Sequence, residues 1–362
     1  SLSPARGCWG KPSGTFLNTF TQPYCYMEKR MELEELEQRL DPFCRNHYED
    51  DSISVCDVFQ MPGHAGFSYG FSVKTSDSID RWYIRLPPPN VKLQGTADVL
   101  RQVAALNALP DEIPHCRVKW SGDDLQWFDR PYFIVLQLEG DVVGQDNNAW
   151  VAKLDEAVRI DMALQAVKAL AAIHKVDPGK AEYLGNPVSL EDDVNRWDRF
   201  VKKAADPWRL ELVPEVKRLL LEQLPCSTPV GIFHGDFQWS NLFYSKRGEL
   251  KAVIDWELVG IGATLNDVGW FATFNDPEAW ADMAHRNRYM PRADKLIAMY
   301  REAWGSELPD INWFRALAAY KFAIITGFNL MLHRRGKRND PLWETSKHSM
   351  ESLLQRAHTL LS

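Results

Sequence analysis

The chain has few cysteines and no paired ones. Six stand in 362 residues, at Cys8, Cys25, Cys44, Cys56, Cys116 and Cys226, and no two are spaced C-x-x-C. Neither a zinc ribbon nor a dithiol redox motif is therefore expected. Positive charge is not in excess. Lys and Arg total 42 against 49 Asp and Glu, for a net charge of −7, which disfavours nucleic acid or an acidic membrane surface as partner. Arg334, Arg335, Lys337 and Arg338 form the single basic cluster. It follows an apolar helical stretch and reads as a solvated helix end that complements the helix dipole. No leader-like segment is recognised, and no apolar run is read as reaching the ~20 residues of a membrane span. The expectation is a cytoplasmic protein with no membrane partner. Internal repeats, low-complexity tracts and the G-x-x-x-x-G-K-[ST] phosphate loop are all missing.

A hydrophobic content of 45% is enough for packed cores, and the length suggests two lobes. The 14 Trp are mainly core candidates, with an aromatic-lined cleft as the alternative. Residues 1–30 lack periodicity and read as an arm. A helix is expected from near Met31 until Pro42, where proline should stop it. Strands are expected at 53–61, 67–75, 82–86, 117–120 and 132–138, with a helix at 97–109. Residues 31–138 thus form an antiparallel sheet with one helix. Residues 139–146, around Glu139-Gly140-Asp141, read as a hinge. Residues 147–362 are mainly helical, with helices expected at 155–174, 278–304, 311–333 and 342–361. Ser189 with Asp192 reads as a capping box. The class is α+β.

The informative segment is His234-Gly235-Asp236-Phe237-Gln238-Trp239-Ser240-Asn241, followed by Ile254-Asp255-Trp256-Glu257. Asp236 is suited to accept a proton from a hydroxyl nucleophile. Asn241 and Asp255 offer hard oxygen ligands for Mg2+. Protein kinases carry a base Asp, a metal Asn and a metal Asp in this order at similar spacing. Here Gly235 replaces the kinase Arg, and Trp-Glu follows the second Asp.

The double motif resembles the aminoglycoside phosphotransferase and choline kinase superfamily, whose pattern is H-G-D-x-x-x-x-N followed by I-D-[WF]-[ED]. The resemblance is nearest to the kinase-like domains associated with acyl-CoA dehydrogenases and covers roughly residues 35–340. It implies a two-lobed, protein-kinase-like fold with a nucleotide-binding N-lobe at 31–138. It also implies ATP or GTP as co-substrate, Mg2+ as cofactor, and phosphoryl transfer to the hydroxyl of a small molecule. His234 is read as structural. Glu257 is read as either reaching the second shell of Mg2+ or capping a turn. Asp267, in Leu265-Asn266-Asp267, is read as bracing the catalytic loop through backbone donors. Gly63, Ala65, Gly66 and Ser68 belong to a small-residue loop that can fold over phosphates; an ordinary Gly-rich hairpin is the alternative. Arg85 takes the place of the kinase β3 Lys and is suited to bind phosphate. The helix Glu expected to hold that cation is replaced by Gln102. Either a hydrogen bond from Gln102 or an ion pair with Asp98 is then expected at Arg85. Adenine is expected on the backbone of Gln137, Leu138 and Glu139.

Aminoglycosides are polycations whose kinases line their clefts with acids. The acidic groups here, Glu191-Asp192-Asp193 and Asp276, Glu278 and Asp282, read more simply as helix caps. Trp197, Trp208, Trp239 and Trp270 hint at a flatter or more apolar acceptor of hydroxyacyl type. Gln102 leaves a pseudokinase or nucleotide-responsive binding module as the alternative function. A metal hydrolase built on His234, Asp236 and Asp255 lacks further histidines at ligand spacing. No D-F-G to A-P-E activation segment is present, so a protein kinase is disfavoured. A monomer or homodimer is expected.

Overall fold

The computed structural model describes residues 31–61, 67–89, 92–144, 150–281, 287–337 and 339–362. The arm at 1–30 and the loop residues Gly63, Ala65 and Gly66 lie outside the described residues.

Helix α1 (Leu33–Tyr48) does not stop at Pro42 but runs through it. An interior proline costs about 3 kcal/mol. Beyond it, however, Phe43 is fully buried and makes edge contacts with Trp127 at 5.5 Å and Tyr132 at 5.3 Å. Burying Phe43 alone gains about 1.5–3 kcal/mol, and the buried Cys44 adds to it. Tertiary packing overrides the local stop signal.

Strands β1 (Ser54–Gln60), β2 (Ser68–Lys74) and β3 (Ile79–Arg85) follow as a meander, then helix α2 (Val99–Ala108). The Asp98 side chain accepts from Leu100 N at 3.1 Å and caps α2. Strand β4 (Val118–Gly122), the short helix α3 (Leu125–Phe128) and strand β5 (Tyr132–Leu136) complete an antiparallel sheet in the order β1-β2-β3-β5-β4. In β2, Tyr69, Phe71 and Val73 are buried on the face toward α1 and its aromatic neighbours. Arg85 therefore falls at the last position of β3, opposite Ser68.

Strand β6 (Asp141–Val142) lies in the expected hinge, yet pairs with β8 (Leu242–Tyr244), which pairs with β9 (Leu250–Val253). Strand β7 (Val230–Phe233) pairs with β10 (Gly260–Ala263). These short pairs carry the catalytic segment at their turns. Around them pack α4 (Glu156–His174), α5 (Leu190–Asn195), α6 (Asp198–Val201), α7 (Val213–Glu222), α8 (Leu265–Phe274), α9 (Ala293–Trp304), α10 (Ile311–Arg334), α11 (Leu342–Ser346) and α12 (Ser349–Leu361). The fold is a two-lobed α+β fold.

Three helix expectations are corrected. Of the helix expected over 278–304, the described residues 278–281 and 287–292 are not helical and α9 begins only after Pro291, which lacks an N–H and disfavours helix just before it. The helix expected over 342–361 is broken into α11 and α12. Helix α10 is long and apolar enough to cross a membrane, contrary to the sequence reading. Of its apolar window, 89% is buried inside the fold, against α8 and α12. Its C-terminal Arg334 is exposed, as expected, and pairs at the surface with Asp206 and Glu344.

Candidate active site

The catalytic segment is held from below by one carboxylate. Asp267, in the first turn of α8, accepts His234 N at 2.6 Å and Gly235 N at 2.8 Å. It also receives His174 Nε2 at 3.1 Å, and His174 Nδ1 is in turn bonded to Tyr300 Oη. Burial alone would raise the Asp267 carboxyl. The His174 hydrogen bond and charge, together with the loop N–H groups, hold it below its ordinary value. His234 fits one neutral tautomer: Nδ1 accepts Asp236 N at 3.2 Å and Nε2 donates to Ile254 O at 2.9 Å. Burial lowers its basicity despite the nearby Asp267 charge. The ring thus ties the segment around Asp236 to the strand that ends before Asp255.

Gly235 has φ +87°, and a Cβ there would lie 2.4 Å from Leu258 O. Only glycine meets both conditions. The sharp turn lets Asp236 project into the fold. Its carboxylate is 1% exposed as a residue and accepts Gln238 Nε2 at 2.8 and 3.0 Å, Trp270 Nε1 at 3.0 Å and Asn241 Nδ2 at 3.0 Å. Burial pushes its pKa up to about 8. The Trp270, Gln238 and Asn241 hydrogen bonds oppose that rise, and the Asp255 charge adds to it. A carboxylate with a raised pKa, close to a second one, is the usual signature of a proton-transfer group.

Asn241 also donates Nδ2 to Asp236 O at 2.8 Å. Its amide nitrogen is committed, so its oxygen is the atom suited to a cation. Asp255 is half-buried and sits at φ +64°, a left-handed conformation that Asp tolerates better than most residues. No group of three His, Cys, Asp or Glu placed to hold a metal ion occurs among the described residues. One amide and one carboxylate nevertheless fit Mg2+, which keeps several waters and takes its other ligands from phosphates.

The pairing at Arg85 corrects the sequence reading. Its Nη2 lies 2.7 Å from Glu257 Oε2, and its Nη1 donates to Ser68 Oγ at 2.8 Å. Gln102 is buried on α2, and its Nε2 has no hydrogen-bond partner among the described residues. Asp98 is taken by the α2 cap and by Tyr183 Oη at 3.2 Å. Glu257, which follows the Asp255 turn, reaches 172 residues back across the lobes instead. The kinase-type cation–carboxylate pair is kept, but its acid comes from a different element. Of the hinge residues, Gln137 N extends the β5–β3 pairing to Arg81 O at 2.9 Å, Leu138 packs beside Val142 and Phe243, and Glu139 is exposed.

Three site residues escaped the sequence reading: Gln238, Trp270 in its polar role, and His174. A signal existed for Trp270, which lies three residues after Asp267 and so shares its helix face. Of the four Trp residues offered as cleft candidates, Trp197 and Trp270 line a cavity at the site. Trp239 is fully buried and bonds Asn275, and Trp208 is 59% exposed. In each acidic cluster one buried member is committed to cations: Asp193 to Lys321 and Arg196, Asp276 to Arg315 and Arg356. Asp282 lies outside the described residues.

Helix α8 is locked by Gly269, where a Cβ would lie 2.3 Å from Phe314 O of α10. Gly269→Ala is expected to destabilise the protein by about 1–3 kcal/mol through overpacking. It should also displace Asp267 and Trp270, the two residues that hold the loop and Asp236. Chemical denaturation with an unchanged midpoint would contradict this.

An antiparallel sheet with its helices above a helical lobe, with an acid–amide–acid set beside a bridging Arg–Glu pair, is the architecture of the protein-kinase-like class of phosphotransferase folds. The chain belongs to the Phosphotransferase enzyme family (APH), which it matches over residues 64–317. It is similar to Acyl-CoA dehydrogenase family member 11 of Homo sapiens, with 24% identity over 261 residues. That match covers 67% of this chain and 32% of the relative, so the chain spans about a third of the relative's length. Among solved structures, a provisionally described aminoglycoside phosphotransferase from Ralstonia eutropha superposes with a TM-score of 0.72 at 19% identity, covering 89% of this chain and 98% of that one. A thermostable mutant of aminoglycoside phosphotransferase APH(4)-Ia, in ternary complex with AMP-PNP and hygromycin B, gives a TM-score of 0.54 at 15% identity, covering 88% and 98%. At these identities the structures speak for the fold.

Proposed function

We propose that the protein is a small-molecule kinase that transfers the γ-phosphoryl group of ATP or GTP to an acceptor hydroxyl. The observation that carries this reading is the buried Asp236, caged by three N–H donors beside Asn241 and Asp255. Asp236 orients the hydroxyl and takes its proton as the new O–P bond forms. The bond between the γ-phosphorus and the bridging oxygen breaks, and the nucleoside diphosphate leaves. Asn241 Oδ1 and Asp255 would hold Mg2+, which when bound neutralises charge on the phosphates. Arg85, oriented by Glu257 and Ser68, contacts phosphate. Gln137, Leu138 and Glu139 present backbone to the nucleotide base. The relative's name and the sequence resemblance support an acceptor of hydroxyacyl or otherwise apolar type over an aminoglycoside.

A thermal-shift titration tests the reading. At a hundred times its dissociation constant, MgATP or MgGTP should stabilise the protein by roughly 2.7 kcal/mol, and Asp255→Ala should lose that shift. Identical shifts in wild type and variant would remove Asp255 from the metal site. Binding without turnover on any hydroxylated acceptor would favour the nucleotide-responsive binding module. With Glu257 in the place of the missing helix acid, Gln102 no longer argues for that alternative.

A further inference from the structure

A cavity of about 250 Å³ opens beside the catalytic segment. Gly235, Asp267 and Trp270 line it, and since Trp270 Nε1 bonds Asp236, the cavity lies one side chain from the base. Its volume falls just below the roughly 300–1,000 Å³ of sites for drug-sized ligands, so it suits a short acceptor rather than a multi-ring aminosugar.

The charged lining is Arg101, Arg196, Arg199 and Lys321 with Asp193, Glu257 and Asp267; of these, Glu257 is paired with Arg85, Asp267 with His174, and Arg101 with the Leu184 and Val259 carbonyls. Asp193 is buried and doubly compensated. Lys321 Nζ donates to its Oδ2, and Arg196 Nη2 lies 2.6 Å from its Oδ1. Arg199 lies over the Phe200 ring, 4.7 Å from its centroid. Apart from the groups paired elsewhere, three cations share the cavity wall with one carboxylate. The Lys321 side chain is only 10% exposed, and the Asp193 bond uses one of the three N–H groups of its ammonium. Placing a nine-tenths-buried cation in a cavity without full compensation is costly unless a ligand anion completes it. The whole chain carries a net charge of −7, so this local positive surplus does not follow from composition.

We propose that the acceptor is an anion: a short-chain hydroxy acid whose carboxylate seats on Lys321, Arg196 and Arg199 while its hydroxyl faces Asp236. The inference rests on the kinase reading and adds the acceptor class. The carboxylate is unchanged in the reaction, since only the hydroxyl loses its proton and gains the phosphoryl group. A polycationic aminosugar would meet like charge in this cavity.

The test compares 3-hydroxybutyrate with 3-hydroxybutyramide and 1,3-butanediol, reading nucleoside diphosphate release and the phosphorylated product by phosphorus NMR with MgATP. The variants are Arg199→Ala, whose site is exposed and whose fold is not at risk, and Lys321→Met. The acid is expected to show a kcat/KM at least tenfold above the amide and the diol. Arg199→Ala should raise KM for the acid at least tenfold and for the diol less than twofold. An acid no better than the diol, or equal losses on both, overturns the inference and leaves the kinase reading standing. If no acceptor is phosphorylated, the acid is titrated alone by thermal shift. Stabilisation of wild type but not of Arg199→Ala supports the anion subsite although the kinase reading falls, and no stabilisation overturns the subsite too.

Discussion

Asp236→Asn will lower kcat by about 10²–10⁴, the usual worth of a positioned general base. It will also remove a pH dependence from the stability of the metal-free protein. The folded Asp236 has a pKa near 8, whereas an unfolded Asp ionises near 3.9. The folded state therefore binds this proton more tightly. The associated stability is fully present below about pH 4 and is lost as the pH rises through about 8. Urea denaturation of wild type in chelator should give a free energy that declines between pH 5 and 8, and the Asn variant should lack that part of the slope. Parallel slopes in the two proteins would mean that Asp236 is ionised throughout, and a variant retaining activity within tenfold would remove it as the base. The physical reason for the raised pKa is that three hydrogen bonds compensate only part of the desolvation of a fully buried carboxylate. The same burial that costs stability at neutral pH is what keeps the group basic enough to take a proton from an alcohol.

The second large effect is expected at the pair that joins the lobes. Glu257→Gln keeps the shape and removes the charge, leaving Arg85 facing an amide. The KM for nucleotide should rise roughly 10- to 100-fold, since each tenfold change corresponds to about 1.4 kcal/mol of lost positioning. Glu257→Ala should in addition destabilise the fold by about 3 kcal/mol, because one partner of a largely buried ion pair is left alone. Gln102→Ala, at the position where a kinase would carry the acid, should leave nucleotide KM within twofold. A double-mutant cycle of Arg85→Gln with Glu257→Gln should return a coupling of about 0.5–3 kcal/mol. A coupling near zero, or a larger effect at Gln102 than at Glu257, would restore the helix as the source of the orienting group.

These two expectations also mark where sequence reasoning ended. The set Asp236, Asn241 and Asp255 was singled out from sequence because phosphoryl transfer of the proposed kind would need those residue types in that order on one loop and one strand end. Asp267 was expected as a brace from the family resemblance, and it accepts the backbone N–H groups of His234 and Gly235. The partner of Arg85 was not legible. The search ran along α2, the element that carries the acid in kinases, and weighed Gln102 and Asp98. Glu257 lies 172 residues away in the chain, and no local rule links it to β3. Helix α10 misled in another way. Its apolar composition reflects burial on every side rather than one face, so neither period nor length revealed what covers it.

The amino-acid order alone determined the α+β class, the alternation that builds the antiparallel sheet and the polar groups of the catalytic segment. These depend on residue types at short separations, where chain geometry fixes the spacing. Tertiary structure alone decided that α1 continues through Pro42, because the burial of Phe43 is a long-range gain. It alone decided that Glu257 pairs with Arg85, that Trp270 bonds Asp236, and that Lys321 meets Asp193. Each of these joins groups far apart in sequence, and only packing sets the distance between them.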